Sequence, residues 1–524
     1  MSNRKSKTVN RKSSGEQTVA QTKNKQPPAN KKKSFWKQAF NAMRVPILAV
    51  ITGLIVGGFV IAMSDPVVLR SISPNPWHVA ADGEEVDPAI AIDLKTALKY
   101  HPNEVGVGDY LVLRRGANVV FREIVETKDQ IEDKDKQIDL ARAQRRAPTL
   151  DTGNAGITLT FSDRPLFVFQ AAWRSVADAY RALFLGSLGS PVQIVEGWQT
   201  YRETGDSQAL RNALRPISES LVTSIPYIFA GLAVALGFRA GLFNIGAEGQ
   251  IFIGATFAAY VGYSFTNLPP LIHVTLAIIA GAIGGAAWGI IPGWLKAKTG
   301  AHEVINTIMM NYIAFRIVSW LLRGPMQRPG SGKPVSPVIE ESAYLPQLFG
   351  SPLRIHAGFF LAIVVAIFVW WLLFKTTIGF ELRTVGSNPN AAKYSGMSVS
   401  RNIIVAMGLS GALAGLAGAN EVLGLNHYLA EAFSPGYGFD SIALALLGKS
   451  HPLGVVLAAL LFGTLRSGAT SMQSLAQVPI DIITMIQALV IVFIAAPEII
   501  RWLYRLRKVE DEGEKTIFAR GWGS

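Results

Sequence analysis

Gly237-Phe-Arg-Ala-Gly-Leu-Phe-Asn-Ile-Gly-Ala-Glu-Gly-Gln250 lies between two strongly apolar runs, residues 221–236 and 251–263. A bilayer core takes roughly 20 apolar residues per helical span. This stretch breaks that pattern with four glycines and with Arg239, Asn244, Glu248 and Gln250. Charges at membrane depth are costly and usually face protein or a water-filled cavity. Two readings stay open: a turn at the cytoplasmic surface, or a broken helix lining a pathway.

The chain around it has 524 residues, 49% of them apolar, and a formal charge of +13. Apolar residues clustered in long runs describe a polytopic membrane protein. The positive excess falls mostly in the N-terminal tail and in short loops. The positive-inside rule accounts for it there, and no nucleic-acid partner is expected. The absence of cysteine rules out disulfides, thiolate metal sites and a thiol nucleophile.

Residues 1–44 read as a basic cytoplasmic tail, disordered and close to anionic headgroups of the membrane lipid. Residues 45–63 are long enough to span, show no cleavage site, and read as a retained first helix. Residues 64–164 then form an extracytoplasmic insertion of α+β character. Apolar runs around a turn at 116–118 predict a hairpin, the mixed charges of 124–146 an exposed helix, and residues 157–161 a strand. Residues 165–220 read as an external connection, amphipathic over 179–190 and loop-like over 193–215.

Further apolar runs lie at 271–295, 304–322, 357–374, 402–423, 442–447, 453–462 with its continuation, and 482–494. With those already named they predict an all-α polytopic protein of about ten transmembrane helices, its core at 221–500. An even count puts both termini in the cytoplasm. Lys296 and Lys298, and Arg501, Arg505, Arg507 and Lys508 within a second tail at 501–524, agree with that orientation.

No catalytic motif is present in full. Gly332-Lys333 and Gly448-Lys449-Ser450 lack the glycine a phosphate-binding loop needs; Gln327 and Ala443 stand in its place. The seven histidines are scattered, so neither a metal nor a cofactor is expected. A second interrupted region, Pro435-Gly-Tyr-Gly-Phe-Asp440, again places glycines and an acid beside a short apolar segment. Paired interruptions of this kind point towards a transport pathway. Tight helix packing through small residues is the plainer explanation of the glycines. Within 376–401, a polar and basic loop, Asn388-Pro389 predicts a turn into a short helix ending near Gly396.

These residues carry a family resemblance. Phe238–Gln250 resembles the signature of permease subunits of sugar/nucleoside ABC importers. The likeness continues through Gly300-Ala-His-Glu-Val-Ile-Asn-Thr, Arg383-Thr-Val-Gly-Ser-Asn-Pro-Asn-Ala-Ala392 and Ser410-Gly-Ala-Leu-Ala-Gly-Leu-Ala-Gly418. It is nearest the nucleoside permeases paired with basic-membrane-protein-type lipoproteins. The resemblance implies uptake of nucleosides across the bacterial cell membrane, with ATP hydrolysed by a separate cytoplasmic ABC ATPase subunit. It also implies a second permease copy or homologous permease and an external substrate-binding lipoprotein. The insertion at 64–164 departs from the family, which has a much shorter connection there; it is either a decoration or a contact for that lipoprotein. Arg383, Gly386, Asn388, Pro389, Ala391, Ala392 and Gly396 would form the coupling helix that meets the ATPase.

A nucleoside calls for hydrogen-bond partners and aromatic surfaces. Phe243, Asn244, Glu248, Gln250, Asn306, Asn311, Asn420, Tyr437 and Asp440 are the candidates for the substrate pathway. For each polar one the competing role is an interhelical hydrogen bond. Two other functions compete: a simple-sugar permease for ribose or galactose, and an ion-coupled carrier using Glu248.

Overall fold

The computed structural model describes residues 35–65, 77–80, 110–115, 118–124, 150–153, 156–160, 165–476 and 478–506. Of the N-terminal unit, Met1–Arg44, only the start of a helix is described; the architecture is that of the second unit, Val45–Ser524. Helix α1 (Phe35–Ser64) begins ahead of the apolar run that predicted it.

After α1 come five short strands: β1 (Trp77–Ala80), β2 (Tyr110–Arg115), β3 (Asn118–Ile124), β4 (Leu150–Gly153) and β5 (Gly156–Thr160). They pair antiparallel in the order β3-β2-β1-β5-β4. β2 and β3 set Tyr110 opposite Ile124 and Arg115 opposite Asn118. The helix expected over 124–146 lies, beyond Ile124, outside the described residues.

The stretch expected to be loop-like, residues 193–215, is helical instead. After α2 (Pro165–Leu188) come α3 (Pro191–Thr204) and α4 (Gln208–Arg239). Pro191 stands at the first turn of α3, where its missing N–H costs nothing, and Gly205 closes that helix with φ 75°. Pro216 and Pro226 sit inside α4 without ending it. Packed membrane helices tolerate internal proline because neighbouring groups meet the freed carbonyls.

The remaining helices are α5 (Ala247–Ser264), α6 (Pro270–Thr299), α7 (Glu303–Arg323), α8 (Gly358–Lys375), α9 (Thr377–Ser387), α10 (Pro389–Tyr394), α11 (Val399–Glu421), α12 (Tyr437–Leu447), α13 (Pro452–Ala476), α14 (Ile480–Ala495) and α15 (Pro497–Leu503). A π-helical turn, Val422–Asn426, extends α11. Among the described residues seven helices are long and apolar enough to cross a membrane: α1, α4, α6, α7, α8, α11 and α13. The bent pair of α14 and α15 makes eight if it is one span. The chain is therefore a mostly helical, multi-pass membrane protein.

Two helices of the core stand apart. α4 is buried on nearly every residue from Ser224 to Phe238, and α5 is buried over most of its length. They are the centre of the bundle, and the other helices wrap them. α6 and α11 lie against each other through glycine: a Cβ on Gly285 would stand 2.7 Å from Gly415 Cα, and one on Gly411 3.1 Å from Gly289 Cα. Small residues let helix backbones meet where lipid gives no hydrophobic drive to associate.

At the end of the bundle where α7 leaves and α8 enters, residues 324–357 fold over the helix ends. Ser336 N–H donates to Leu429 O, and Leu345 N–H to Leu423 O, each at 2.9 Å. Arg354 pairs with Glu219 of α4, and Arg323 with Glu431. The Ser319 hydroxyl and the Arg323 guanidinium hold the Glu431 carboxyl below its usual range. The opposite end carries Arg239, Lys296, Lys298, Lys375, Lys393 and Lys449.

Candidate translocation site

The stretch 237–250 is a turn between two helices, and its polar groups face inward. α4 closes with Leu242 N–H donating to Gly237 O at 2.9 Å, while Gly241 takes φ 69°. Asn244, fully buried, is the hub. Its Nδ2 donates to Gln250 Oε1 (2.9 Å) and Ser410 Oγ (2.8 Å). Its Oδ1 accepts from Gly246 N–H (3.0 Å) and Gln250 Nε2 (3.3 Å). Asn311 of α7 clips the turn from outside: Oδ1 accepts from Gly249 N–H (2.8 Å) and Nδ2 donates to Ile245 O (3.0 Å). Asn244, Gln250 and Asn311 thus hold the turn together with their own amides.

Glu248 does something different. It is 2% exposed and reaches across to the second interrupted region. Oε1 accepts from Ser434 Oγ and Oε2 from Gly438 N–H, each at 2.5 Å. Gly438 lies in the first turn of α12, so the carboxylate sits where free N–H groups and the helix dipole favour negative charge. A Cβ on Gly438 would stand 2.6 Å from Glu248 Cα, so only glycine allows this approach. The two interruptions read separately in the sequence are one joint in space.

Beside that joint lies a row of ionisable groups. Tyr227 of α4 donates to Asp440 Oδ2 at 3.0 Å and meets the ring of Tyr437 edge-on at 5.0 Å. Arg466 of α13 is near enough to act electrostatically on Asp440 and on both tyrosines. Glu421, buried at the end of α11, faces Tyr437 and accepts from Asn426 Nδ2 at 3.5 Å. Asn420 precedes it, with its buried Oδ1 lacking a donor among the described residues. Ionisable groups within membrane helices are rare and tend to mark pathways.

Tyr437 and Asp440 therefore gather with Glu248, whereas the amide oxygen of Asn420 lies against Gly358 at the start of α8. Phe243 instead packs on Phe238, ring centroids 5.1 Å apart. Asn306, its Nδ2 unpartnered among the described residues, stands on α7 ahead of Asn311, away from this row. Sequence reading passed over Tyr227, Ser434 and Arg466. Arg466 had a usable signal, a lone cation inside the apolar run of α13.

The loop 376–401 holds two helices where one was expected. α9 comes directly after α8, capped by Thr376, whose hydroxyl accepts from Gly379 N–H. Arg383 lies on α9 and turns back over the ring of Phe374 (5.1 Å). Asn388 caps α10: its Oδ1 accepts from Asn390 and Ala391 N–H, both at 3.1 Å. Pro389 and Ala391 are exposed on α10, Ala392 is fully buried beneath it, and Gly396, φ 81°, ends the segment. Tyr394 projects from it, 94% exposed. Gly386 meets the 237–250 turn backbone to backbone, a Cβ there falling 2.6 Å from Gly241 N.

Residues 217–495 match the family described as branched-chain amino acid transport system / permease component. The chain belongs to this permease family. Its relatives include the guanosine ABC transporter permease protein NupP of Bacillus subtilis, 42% identical over 345 residues, 63% of this chain and 96% of that protein. The glucose ABC transporter permease protein TsgB13 of Haloferax volcanii is 39% identical, covering 54% of this chain and 76% of its own. The nucleoside ABC transporter permease protein NupB of Lactococcus lactis is 34% identical, covering 58% and 85%. No solved structure matches. The joint, the ionisable row and the loop 376–401 of this permease all lie within the matched residues.

Proposed function

We propose that this permease imports nucleosides, as the membrane subunit of an ATP-binding-cassette importer. The observation that carries the substrate is the 42% identity to a guanosine permease over nearly the whole of that protein. ATP is hydrolysed by a separate ABC ATPase subunit docking on α10 and the exposed residues around it. A second permease copy or homologous permease completes the pathway, and an external lipoprotein delivers the substrate, with the insertion as one of its contacts. The positive excess at the α10 end supports placing that end, and both termini, in the cytoplasm. Counting α5, α12 and α14 with the seven long helices gives ten spans, which keeps that orientation.

Within the core, Asn420, Glu421, Tyr437 and Asp440, with Tyr227 and Arg466, are the groups that contact substrate. They offer acceptors, hydroxyls and an aromatic face, the set a ribose and a base require. Asn244, Gln250 and Asn311 serve by shaping the turn.

A sugar substrate is the second reading, favoured by the glucose permease of Haloferax at 39% identity. Uptake of labelled guanosine, adenosine, uridine, ribose and glucose into cells with and without the gene separates the two. Gene-dependent nucleoside uptake, uncompeted by ribose or glucose, is expected. Gene-dependent sugar uptake alone would replace the nucleoside reading.

A further inference from the structure

Helix α12 is short, and the first interrupted region grips it at both ends. At its start Glu248 holds Gly438 N–H and Ser434 Oγ. Past its end Arg239 donates from Nε to Ser450 O (2.9 Å) and from Nη2 to Lys449 O (3.2 Å). Arg239 and Glu248 flank the same turn, so the turn and α12 are bound to move together. The residues bounding α12 hold a constrained backbone. Gly436 has φ 100°, and Lys449 and Ser450 hold φ 51° and 49°, a left-handed conformation that non-glycine residues keep only under constraint.

The other side of the turn touches the loop that carries α10. Gly386 and Gly241 approach so closely that a Cβ on Gly241 would stand 2.8 Å from Gly386 Cα. No side chain lies between these backbones to absorb a displacement. Just beyond Gly386 comes Asn388, the cap of α10. The ring of Phe374 reinforces the contact, with Arg383 on one helix and Arg239 on the other both drawn to it, at 5.1 and 5.6 Å.

We propose that the Gly386–Gly241 contact and Glu248 form a lever through which movement of α10 swings α12, making α12 the driven gate and Glu248 a positioning residue. The proposal rests on the reading that α10 meets the ATPase, and it is independent of which solute is carried. Packed elements of this kind shift between discrete arrangements rather than deforming continuously.

The chain contains no cysteine, so Ile442→Cys places a single reporter thiol on α12. In the assembled transporter with its ATPase and partner permease, its labelling rate by a maleimide is measured without nucleotide and with ATP plus vanadate. We expect the rate to change with nucleotide, and the change to disappear when Gly386→Ala is added. Glu248→Gln, which adds no bulk but removes the negative charge that Gly438 N–H and the start of α12 now hold, is expected to abolish it as well. Each variant should lower substrate carried per ATP by about three- to thirtyfold, with the substrate KM unchanged in E248Q. Together they should lower it no further than the more severe one alone, because both cut one relay.

A rate insensitive to nucleotide in the I442C parent would overturn the proposal. So would a nucleotide response persisting in either variant, additive losses in the pair, or a raised KM in E248Q. If G386A does not assemble, E248Q alone carries the same decision. A responsive α12 in a transporter that carries no nucleoside would refute the substrate reading and leave the lever standing.

Discussion

Asn388 is the place where one side chain should control a whole docking surface. Its Oδ1 meets two backbone N–H groups that α10 cannot satisfy internally, those of Asn390 and Ala391, each at 3.1 Å. α10 has only six residues, and helices so short do not hold themselves in water. Of its residues only Ala392 is buried, so tertiary packing gives limited help. Replacing an N-cap asparagine by alanine costs about 1 kcal/mol and up to about 2. At about 1.4 kcal/mol per factor of ten, the open fraction of α10 should rise about five- to thirtyfold. Asn388→Ala should therefore speed hydrogen exchange of the amides of residues 390–395 by that factor and weaken ATPase binding, with the membrane core unchanged. Asn388→Asp and Asn388→Ser keep a capping oxygen and should restore most of the protection. Equal exchange in N388A and the native protein would refute the reasoning, as would an N388D variant no better than N388A, since a cap is all that aspartate and asparagine should share here.

Neighbouring geometry sets further expectations. Asn244→Ala strips the turn of its hub and leaves Gly246 N–H, Gln250 and Ser410 short of partners; it should cost about 2–4 kcal/mol, read as lowered thermal stability in detergent. Ala392→Leu forces bulk under α10 at a fully buried position and should weaken ATPase association, at a cost of about 1–3 kcal/mol, visible in pull-down from solubilised membranes. His356, beside Arg354 in the loop over the helix ends, is held down to about 4 by burial and by the nearby His427 and Arg354. Its folded value lies below its unfolded one, so it has no effect above about pH 6.5; a destabilisation then grows as pH falls towards 4, reaching about 3 kcal/mol. Thermal melts of the native protein and of His356→Gln between pH 7 and 4 should diverge in that window, the native protein losing more.

Sequence legibility varied with how much of the structure the bilayer dictates. The helices after residue 220 were readable because a span must be apolar over its whole length, and their centres fall where the runs did. α3 and the start of α4 were not, because Gln193, Glu196, Gln199, Arg202, Asn212 and Pro216 look like a loop; the helices form there through a proline start, a glycine stop and packing of Gly197 on Leu210. The turn into α10 at Asn388-Pro389 and its stop at Gly396 were legible from residue chemistry alone, the capping bonds of Asn388 only from the fold. Arg383 was not: in the sequence it reads as a charge offered to a partner, and in the fold it lies on Phe374. The meeting of Glu248 with Gly438 joins residues 190 positions apart, which no local pattern encodes.

Asn311 and Asn420 show how the fold separates roles that the sequence leaves equal. Both are asparagines in apolar helices, both buried, and either could be a strut or a substrate contact. Asn311 uses both ends of its amide on the 237–250 turn. Asn420 keeps a buried carbonyl oxygen without a donor among the described residues, against Gly358 and one position before Glu421 in the chain. A buried acceptor left unmet costs about 1–3 kcal/mol, so in a working cycle something meets it, and the neighbouring Glu421 belongs to the row where substrate is proposed to pass. The two alanine variants should therefore part company. Asn311→Ala should lower thermal stability while the substrate KM stays near native. Asn420→Ala should leave stability near native or slightly higher and raise the KM about three- to tenfold, the loss of one neutral hydrogen bond. If instead N420A melts early with an unchanged KM, its oxygen meets a protein or water partner in every state, and Asn420 is a strut like Asn311.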